Sequence, residues 1–165
     1  MPRCAADAGL ALAEMVGPTA GDRYSIPAEI TDWRHDIRAH PELQYDVHRT
    51  AGTVADKLKR FGCDEVVTGI GRTGVVGVIR GNKGTAGDKV VGLRADMDAL
   101  PLQEINTFAH RSRHAGVMHA CGHDGHTAML LAAAQHLAAT RDFDGTVALI
   151  FQPAEEGRGG ALAMI

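Results

Sequence analysis

Hydrophobic and polar positions alternate between helical and extended periods along most of the chain. Within 27–43, Ile30, Trp33 and Ile37 recur at helical spacing, Pro27 is tolerable in a first turn and Pro41 lies near the stop, which predicts an amphipathic helix. Thr50 is the expected cap of a second helix whose Val54, Leu58 and Phe61 share one face, with Gly62 where a left-handed C-terminal glycine belongs. Residues 65–68, 75–80 and 89–95 are short and rich in Val and Ile, which predicts strands, and the polar stretch 81–88 reads as a hairpin loop between the last two. Residues 99–120 sustain no period and read as a long loop, a feature that in compact domains usually serves function. Residues 127–139 are apolar nearly all round, interrupted only by Gln135 and His136, so a helix is expected to lie against a sheet under further cover. Over 145–152, Val147, Leu149 and Phe151 face one way and Ala148 and Ile150 the other, the pattern of a central strand covered on both sides.

Composition narrows the classes. The 165 residues, 45% hydrophobic and 22% charged, suit one globular domain. A chain of this size can bury roughly 70% of its unfolded surface, so no staple is required. Seventeen basic against twenty acidic residues give a net charge of -3, and no basic run exceeds 57–60, so nucleic acid is not an expected partner. Cys4, Cys63 and Cys121 are odd in number and far apart, which argues against a disulfide framework and for a reducing, cytoplasmic setting. Residues 1–26 read as a poorly ordered leader, in which Arg3, Asp7 and Glu14 interrupt any secretory apolar run. No apolar run approaches the roughly eighteen residues of a membrane span, so no membrane partner is expected. Of the nine histidines, six fall between His110 and His136, and that local density is the first pointer to chemistry.

Gly69-Ile-Gly71-Arg-Thr-Gly74 matches G-x-G-x-x-G literally, but the dinucleotide fingerprint needs its last glycine to open a helix, and a strand follows here. The dense signal is Met118-His-Ala-Cys-Gly-His-Asp-Gly-His-Thr127, which holds a thiol, three imidazoles and a carboxylate at the entrance of the buried helix. Cys and His suit Zn, Mn, Ni or Co, and Gly122 and Gly125 let the backbone fold so that Cys121 and His123 converge. An isolated histidine there would read as a polar group at a helix start, but six around one cysteine read as a ligand set. Gln152-Pro-Ala-Glu-Glu156-Gly157 delivers two carboxylates to the end of the central strand, where α/β sheets bind ligands. In extended backbone Glu155 and Glu156 diverge, so one is free to ligate and the other to move a proton. Arg94-Ala-Asp-Met-Asp-Ala-Leu-Pro101 sets Asp96 and Asp98 on one face of a strand end, suited to orienting a metal-bound histidine, with a structural turn as the alternative. No G-x-S-x-G elbow exists, and a histidine only two residues from Cys121 is awkwardly placed to activate it as a nucleophile.

These blocks, with Arg34-His-Asp-Ile-Arg-Ala-His-Pro-Glu-Leu43 and 145–157, run in one order and resemble the zinc-peptidase-like amidohydrolases. That group contains hippurate hydrolases, N-acyl-amino-acid amidohydrolases and auxin-conjugate hydrolases, with aminoacylase and glutamate carboxypeptidase as more distant kin. The resemblance implies an α/β fold: over 27–165, the N-terminal part of a zinc-peptidase-like (phosphorylase/hydrolase-like) three-layer α/β/α catalytic domain, with the lid domain absent. It implies Cys121, His123 and Glu156 as metal ligands and Glu155 as general base. Asp98 falls where the wider group keeps an aspartate beside the metals, and Asp96 stands where distant relatives place a ligand histidine. Full-length members are more than twice as long, hold two divalent metals per site, and carry after the glutamate pair two more ligand histidines and a lid through which they form homodimers. The implied reaction is hydrolysis of the amide bond of a small N-acyl amino acid by water that a Zn, Mn, Ni or Co ion acidifies from a pKa of about 15.7 to about 7. The competing expectation is a non-catalytic metal-binding module, in which protein ligands fill all four positions, or an inactive fragment.

Overall fold

The computed structural model describes residues 27–83 and 89–165. The predicted leader 1–26 lies outside the described residues, as does most of the predicted hairpin loop. The elements run α1 (Ala28–Ala39), α2 (His48–Phe61), β1 (Glu65–Ile70), β2 (Gly74–Arg80), β3 (Val90–Asp96), α3 (His123–Thr140), β4 (Thr146–Gln152) and α4 (Gly160–Ala163). No helix among them is long and apolar enough to cross a membrane.

Helix α1 ends short of the predicted Leu43, because Pro41 drives His40 out of helical geometry to φ -127° and ψ 59°. Helix α2 begins two residues before the predicted cap. Thr50 lies inside it, and Glu42 does the capping from outside: its carboxylate accepts the N–H groups of Arg49 (2.9 Å) and Thr50 (2.8 Å) and the Thr50 hydroxyl (2.8 Å). Gly62 closes the helix in the left-handed region at φ 82°, as its position predicts.

The sheet order is β1-β2-β4-β3, with β4 antiparallel to β2 and parallel to β3. The expected hairpin between β2 and β3 is therefore wrong. β4 inserts between them, and the chain leaving β2 runs beside the approach to β4, where Gly81 N–H donates to Gly145 C=O at 2.9 Å. β4, like β2, is paired on both edges, and its parallel neighbour β3 requires a crossover, which α3 supplies. Val75, Ile79, Leu149 and Phe151 line the face that packs with Val54 and Leu58 of α2 and Leu131 and Ala134 of α3. On the other face, α4 and Met164 approach Gly71 and Gly74, while Val67 is half exposed and Val90 at the β3 edge is 65% exposed. Helix α3 is also less covered than its sequence predicts, with Met129 in solvent.

The long loop 99–120 is tied to α1 by charge and by rings. Arg38, buried in α1, donates to Glu104 Oε1 at 2.8 Å and to the His119 carbonyl at 3.3 Å. Burial opposes ionisation of Glu104, but bonds from Asn106, the Ser112 N–H and Arg38 outweigh it and hold the carboxyl below its ordinary range. His35 of α1 stacks on His110 with ring centroids 3.6 Å apart, and His110 stacks in turn on Phe108 at 4.2 Å. Burial, then the neighbouring His35 and the arginines Arg38 and Arg34, pushes His110 down to about 4.

Three outcomes are expected. Glu42→Ala should destabilise the fold by about 1–2 kcal/mol in urea unfolding, the usual scale of a lost helix cap; no change would remove Glu42 from that role. Between pH 6.5 and about 4 the unfolded chain binds a proton that folded His110 refuses, so stability falls on acidification across that window. His110→Phe, which keeps the stack, should flatten the fall by up to one proton in pH-dependent unfolding, whereas an unchanged slope counts against it. Sedimentation velocity should reveal self-association through the exposed apolar edge, and Val90→Lys should raise the monomer fraction.

Candidate metal centre

Parallel strands β3 and β4 end side by side, with Asp96 opposite Gln152 and Met97 N–H donating to the Gln152 carbonyl at 2.9 Å. Their carboxyl ends therefore open on one spot, which the first turn of α3 also reaches. That helix starts at His123, four residues before its apolar period predicts, because the polar motif itself forms the first turn behind Gly122, left-handed at φ 88°. Gly125 consequently lies within the helix and is not part of a folding loop.

His123 is the centre of the arrangement and is 2% exposed. Its Nδ1 lies 2.7 Å from the Asp98 carbonyl oxygen. A carbonyl only accepts, so Nδ1 carries the proton and Nε2 presents a bare lone pair. Nε2 faces Asp96 Oδ1 at 3.6 Å, Glu155 Oε2 at 3.8 Å and Glu156 Oε1 at 3.9 Å. One donor atom each of Cys121, His123 and Glu156 lie within 4.8 Å of one another, and so do one each of Asp96, His123 and His126. The three residues predicted as ligands thus converge, with Cys121 exposed at the rim and Glu156 half-buried.

Asp98 is buried and spends its carboxylate on backbone: Oδ1 accepts the Glu155 N–H at 3.0 Å and Oδ2 the Glu156 N–H at 3.1 Å. Burial disfavours its charge, yet the bonds from His123 and from the Glu156 and Glu155 N–H groups prevail and keep the carboxyl below its usual range. Asp98 therefore orients His123 mainly through its carbonyl, with its carboxylate 3.4 Å from Nδ1. The expectation that Glu155 and Glu156 diverge in extended backbone fails. Residues 155–157 form a turn, and both carboxylates come within 4 Å of the same imidazole nitrogen.

Asp96 faces the same nitrogen and reaches beyond it. Its Oδ1 lies 2.7 Å from His126 Nδ1, and its Oδ2 lies 3.3 Å from Arg94 Nη1. Burial lowers the basicity of His123, but the Asp98 bond and the Asp96 charge more than offset it and raise the imidazole above its ordinary value. Burial first, then a hydrogen bond and charge from Glu156 and the charge of Glu155, pushes the Cys121 thiol up. Fully buried Asp124 pairs with Arg34 at 3.1 Å and Arg38 at 3.5 Å, fastening the first turn of α3 to α1. Sequence reasoning counted His126 only within the histidine cluster and gave no role to Arg34, Arg38, Glu104 or Asp124. The spacing of Arg34 and Arg38 on one helical face was the available signal for two of them.

The family model for Peptidase family M20/M25/M40 matches residues 92–165. A hippurate hydrolase of Campylobacter jejuni is 56% identical over 140 residues, which is 85% of this chain and 35% of that protein. Thermostable carboxypeptidase 2 of Saccharolobus solfataricus is 50% identical over 145 residues, 83% of this chain and 36% of its own length. A Bacillus subtilis structure described as a dinuclear metal binding peptidase from the M20 family superposes with a TM-score of 0.76 at 37% identity, covering 82% of this chain and 38% of that one. The chain spans about a third of the length of these relatives and aligns with their N-terminal part. With most of its chemistry-bearing residues inside the matched stretch and its mixed α/β sheet superposing on a solved member, the chain is similar to the N-terminal part of peptidase family M20/M25/M40.

Proposed function

We propose that this chain carries the cation-binding end of a metal-dependent hydrolase that cleaves the amide bond of N-acyl amino acids, with Cys121, His123 and Glu156 as ligands and Glu155 as general base. The observation that carries this reading is the meeting of the three donors within 4.8 Å, with Glu155 Oε2 only 3.8 Å from the same His123 Nε2. The donor set suits a divalent cation: a thiol, an imidazole with its second nitrogen already engaged, and a carboxylate, within reach of Asp96 and Glu155. That excess of negative charge favours a dication, and a bound dication would favour the ionised form of Cys121, whose thiol is pushed up by burial and then by Glu156 and Glu155. When bound, such an ion supplies Lewis acidity, polarising a carbonyl and acidifying water.

The protein residues then divide the work. Asp98 fixes the backbone of both glutamates, so their carboxylates reach the centre at defined positions. The Glu156 side chain is 24% exposed and belongs to the donor trio; that of Glu155 is 41% exposed and stands outside it, free to exchange a proton with solvent-side water. Glu155 takes the proton of the water that attacks the carbonyl carbon and delivers it to the leaving amine as the C–N bond breaks. Hippurate is an N-acyl amino acid, and a carboxypeptidase cleaves the amide next to a terminal carboxylate. The two relatives named for these activities therefore support an amide whose amine side bears a free carboxylate.

The ion proposed is Zn, Mn, Ni or Co. In the whole protein a second ion, a lid that forms homodimers and a cytoplasmic location complete the reading, on the strength of the family resemblance. Assayed on hippurate with divalent metal, Glu155→Gln should retain wild-type metal content and lose at least about 100-fold in turnover. Turnover within twofold of wild type would remove Glu155 as the base.

A further inference from the structure

The glutamate pair is held from two sides, and Asp98 accounts only for the inner one. On the outer side, two consecutive residues of the turn between α1 and α2 grip the chain before and after the pair: the Gln44 carbonyl accepts the Ala154 N–H at 3.1 Å, and the Tyr45 hydroxyl donates to the Arg158 carbonyl at 2.8 Å. The same turn also touches the residue after Asp98, since the Ala99 N–H donates to the Glu42 carbonyl at 2.8 Å. It therefore spans both strand ends that build the site.

The two grips differ in what they restrain. Gln44 and Ala154 are both left-handed non-glycine residues, at φ 51° and 50°, and such backbone persists only where its surroundings over-determine it. Ala154 is fully buried, so that end is fixed by packing as well. Downstream, Arg158 lies between Gly157 and Gly159, which are left-handed at φ 79° and 64°, and a Cβ added at either would meet nothing within 4 Å. Such an open, glycine-flanked stretch has wide conformational freedom, and the Tyr45 hydroxyl fastens it to the body of the fold.

Tyr45 is itself held by the glycine-rich turn between β1 and β2. The hydroxyl of buried Thr73 donates to the Tyr45 carbonyl at 2.8 Å, and the Arg72 guanidinium carbon stands 4.6 Å from the centre of the Tyr45 ring, with Arg72 left-handed at φ 81°. The Gly69–Gly74 stretch, which fails as a dinucleotide fingerprint, thus acts as a buttress.

We propose that Tyr45 is a positioning residue for Glu155 and Glu156: backed by Arg72 and Thr73, its hydroxyl holds the glutamate loop from outside so that both carboxylates face His123. This rests on the reading of Glu156 as a cation ligand and Glu155 as the base, and adds a residue that acts on them through the backbone at Arg158. A base and a ligand must both sit within a narrow range of positions, so loosening one end of their loop weakens both roles.

The test is Tyr45→Phe, which keeps the ring under Arg72 and removes only the hydroxyl. In the metal-free chain, amide exchange followed by NMR should show the Glu155 and Glu156 N–H groups, which Asp98 protects, exchanging at least about fivefold faster, with Val147 and Leu149 of β4 unchanged. With cobalt, affinity should fall about tenfold and the d–d bands should shift, while the thiolate band of Cys121 remains, because Cys121 and His123 do not lie on this loop. Arg72→Asn, which tolerates the left-handed backbone and removes the cation from the ring, should act in the same direction to a smaller extent. If the two glutamate amides exchange as in wild type, or loosen while cobalt affinity stays within about twofold, Tyr45 does not position the pair and the proposal is overturned with the cation site intact. Faster exchange across β4 and α3 alike would make the role merely structural and overturn it as well. A wild-type chain that gives no thiolate band with cobalt would overturn the cation-site reading first, and the positioning role with it.

Discussion

One carboxylate holds the centre together. Asp98 is the point at which the end of β3, the turn after β4 and the first residue of α3 are tied to each other. Each oxygen of its side chain takes a backbone N–H from the glutamate pair, and its own carbonyl takes the imidazole proton. Hydrogen bonds to an ionised, buried acceptor are worth about 1.5–3 kcal/mol each, above the average for neutral pairs. Their geometric effect is larger still. They settle the tautomer of His123, turn the glutamates back toward it and leave a single nitrogen pointing into a ring of acidic side chains.

That ring explains why the site is tuned for a cation. Unit charges about 4 Å apart interact by roughly 4 kcal/mol at an effective dielectric near 20, so gathering Asp96, Glu155 and Glu156 around one imidazole is costly unless positive charge joins them. The protein supplies part of it through Arg94, 3.3 Å from Asp96. The thiol responds in the opposite sense and keeps its proton, which marks Cys121 as a group whose ionisation awaits a stronger neighbouring charge than this chain supplies.

Around this centre lies a second set of ionic contacts that governs position. Asp124, beside His123, is buried against Arg34 and Arg38, and Arg38 reaches on to Glu104 in the loop that joins Asp98 to Cys121. Removing one partner of a buried pair of this kind costs about 3–5 kcal/mol, because the other charge is stranded. The long loop is thereby held at its far side by α1, with the His35–His110–Phe108 stack beside it. A segment without secondary structure of its own can then present Cys121 at a defined place.

Periodicity alone located α1, α2 and the four strands to within a few residues, and the αL glycine at 62, because those features depend on side-chain alternation and local sterics. The sequence also singled out Cys121, His123, Glu155 and Glu156 as chemistry-bearing side chains, through local density of the motif and not through periodicity. Periodicity missed the start of α3, where polar residues carry helical backbone, and the capping of α2 by Glu42, a residue that lies before the helix in an irregular stretch. Only the tertiary structure decided that β4 separates β2 from β3, because strand order does not follow from succession along the chain. Only it brought Asp96 to His126 across thirty residues and turned both glutamates onto one nitrogen. Those meetings depend on parallel pairing and a helical crossover, and no local period encodes a contact that the chain must leave the sheet and return to make.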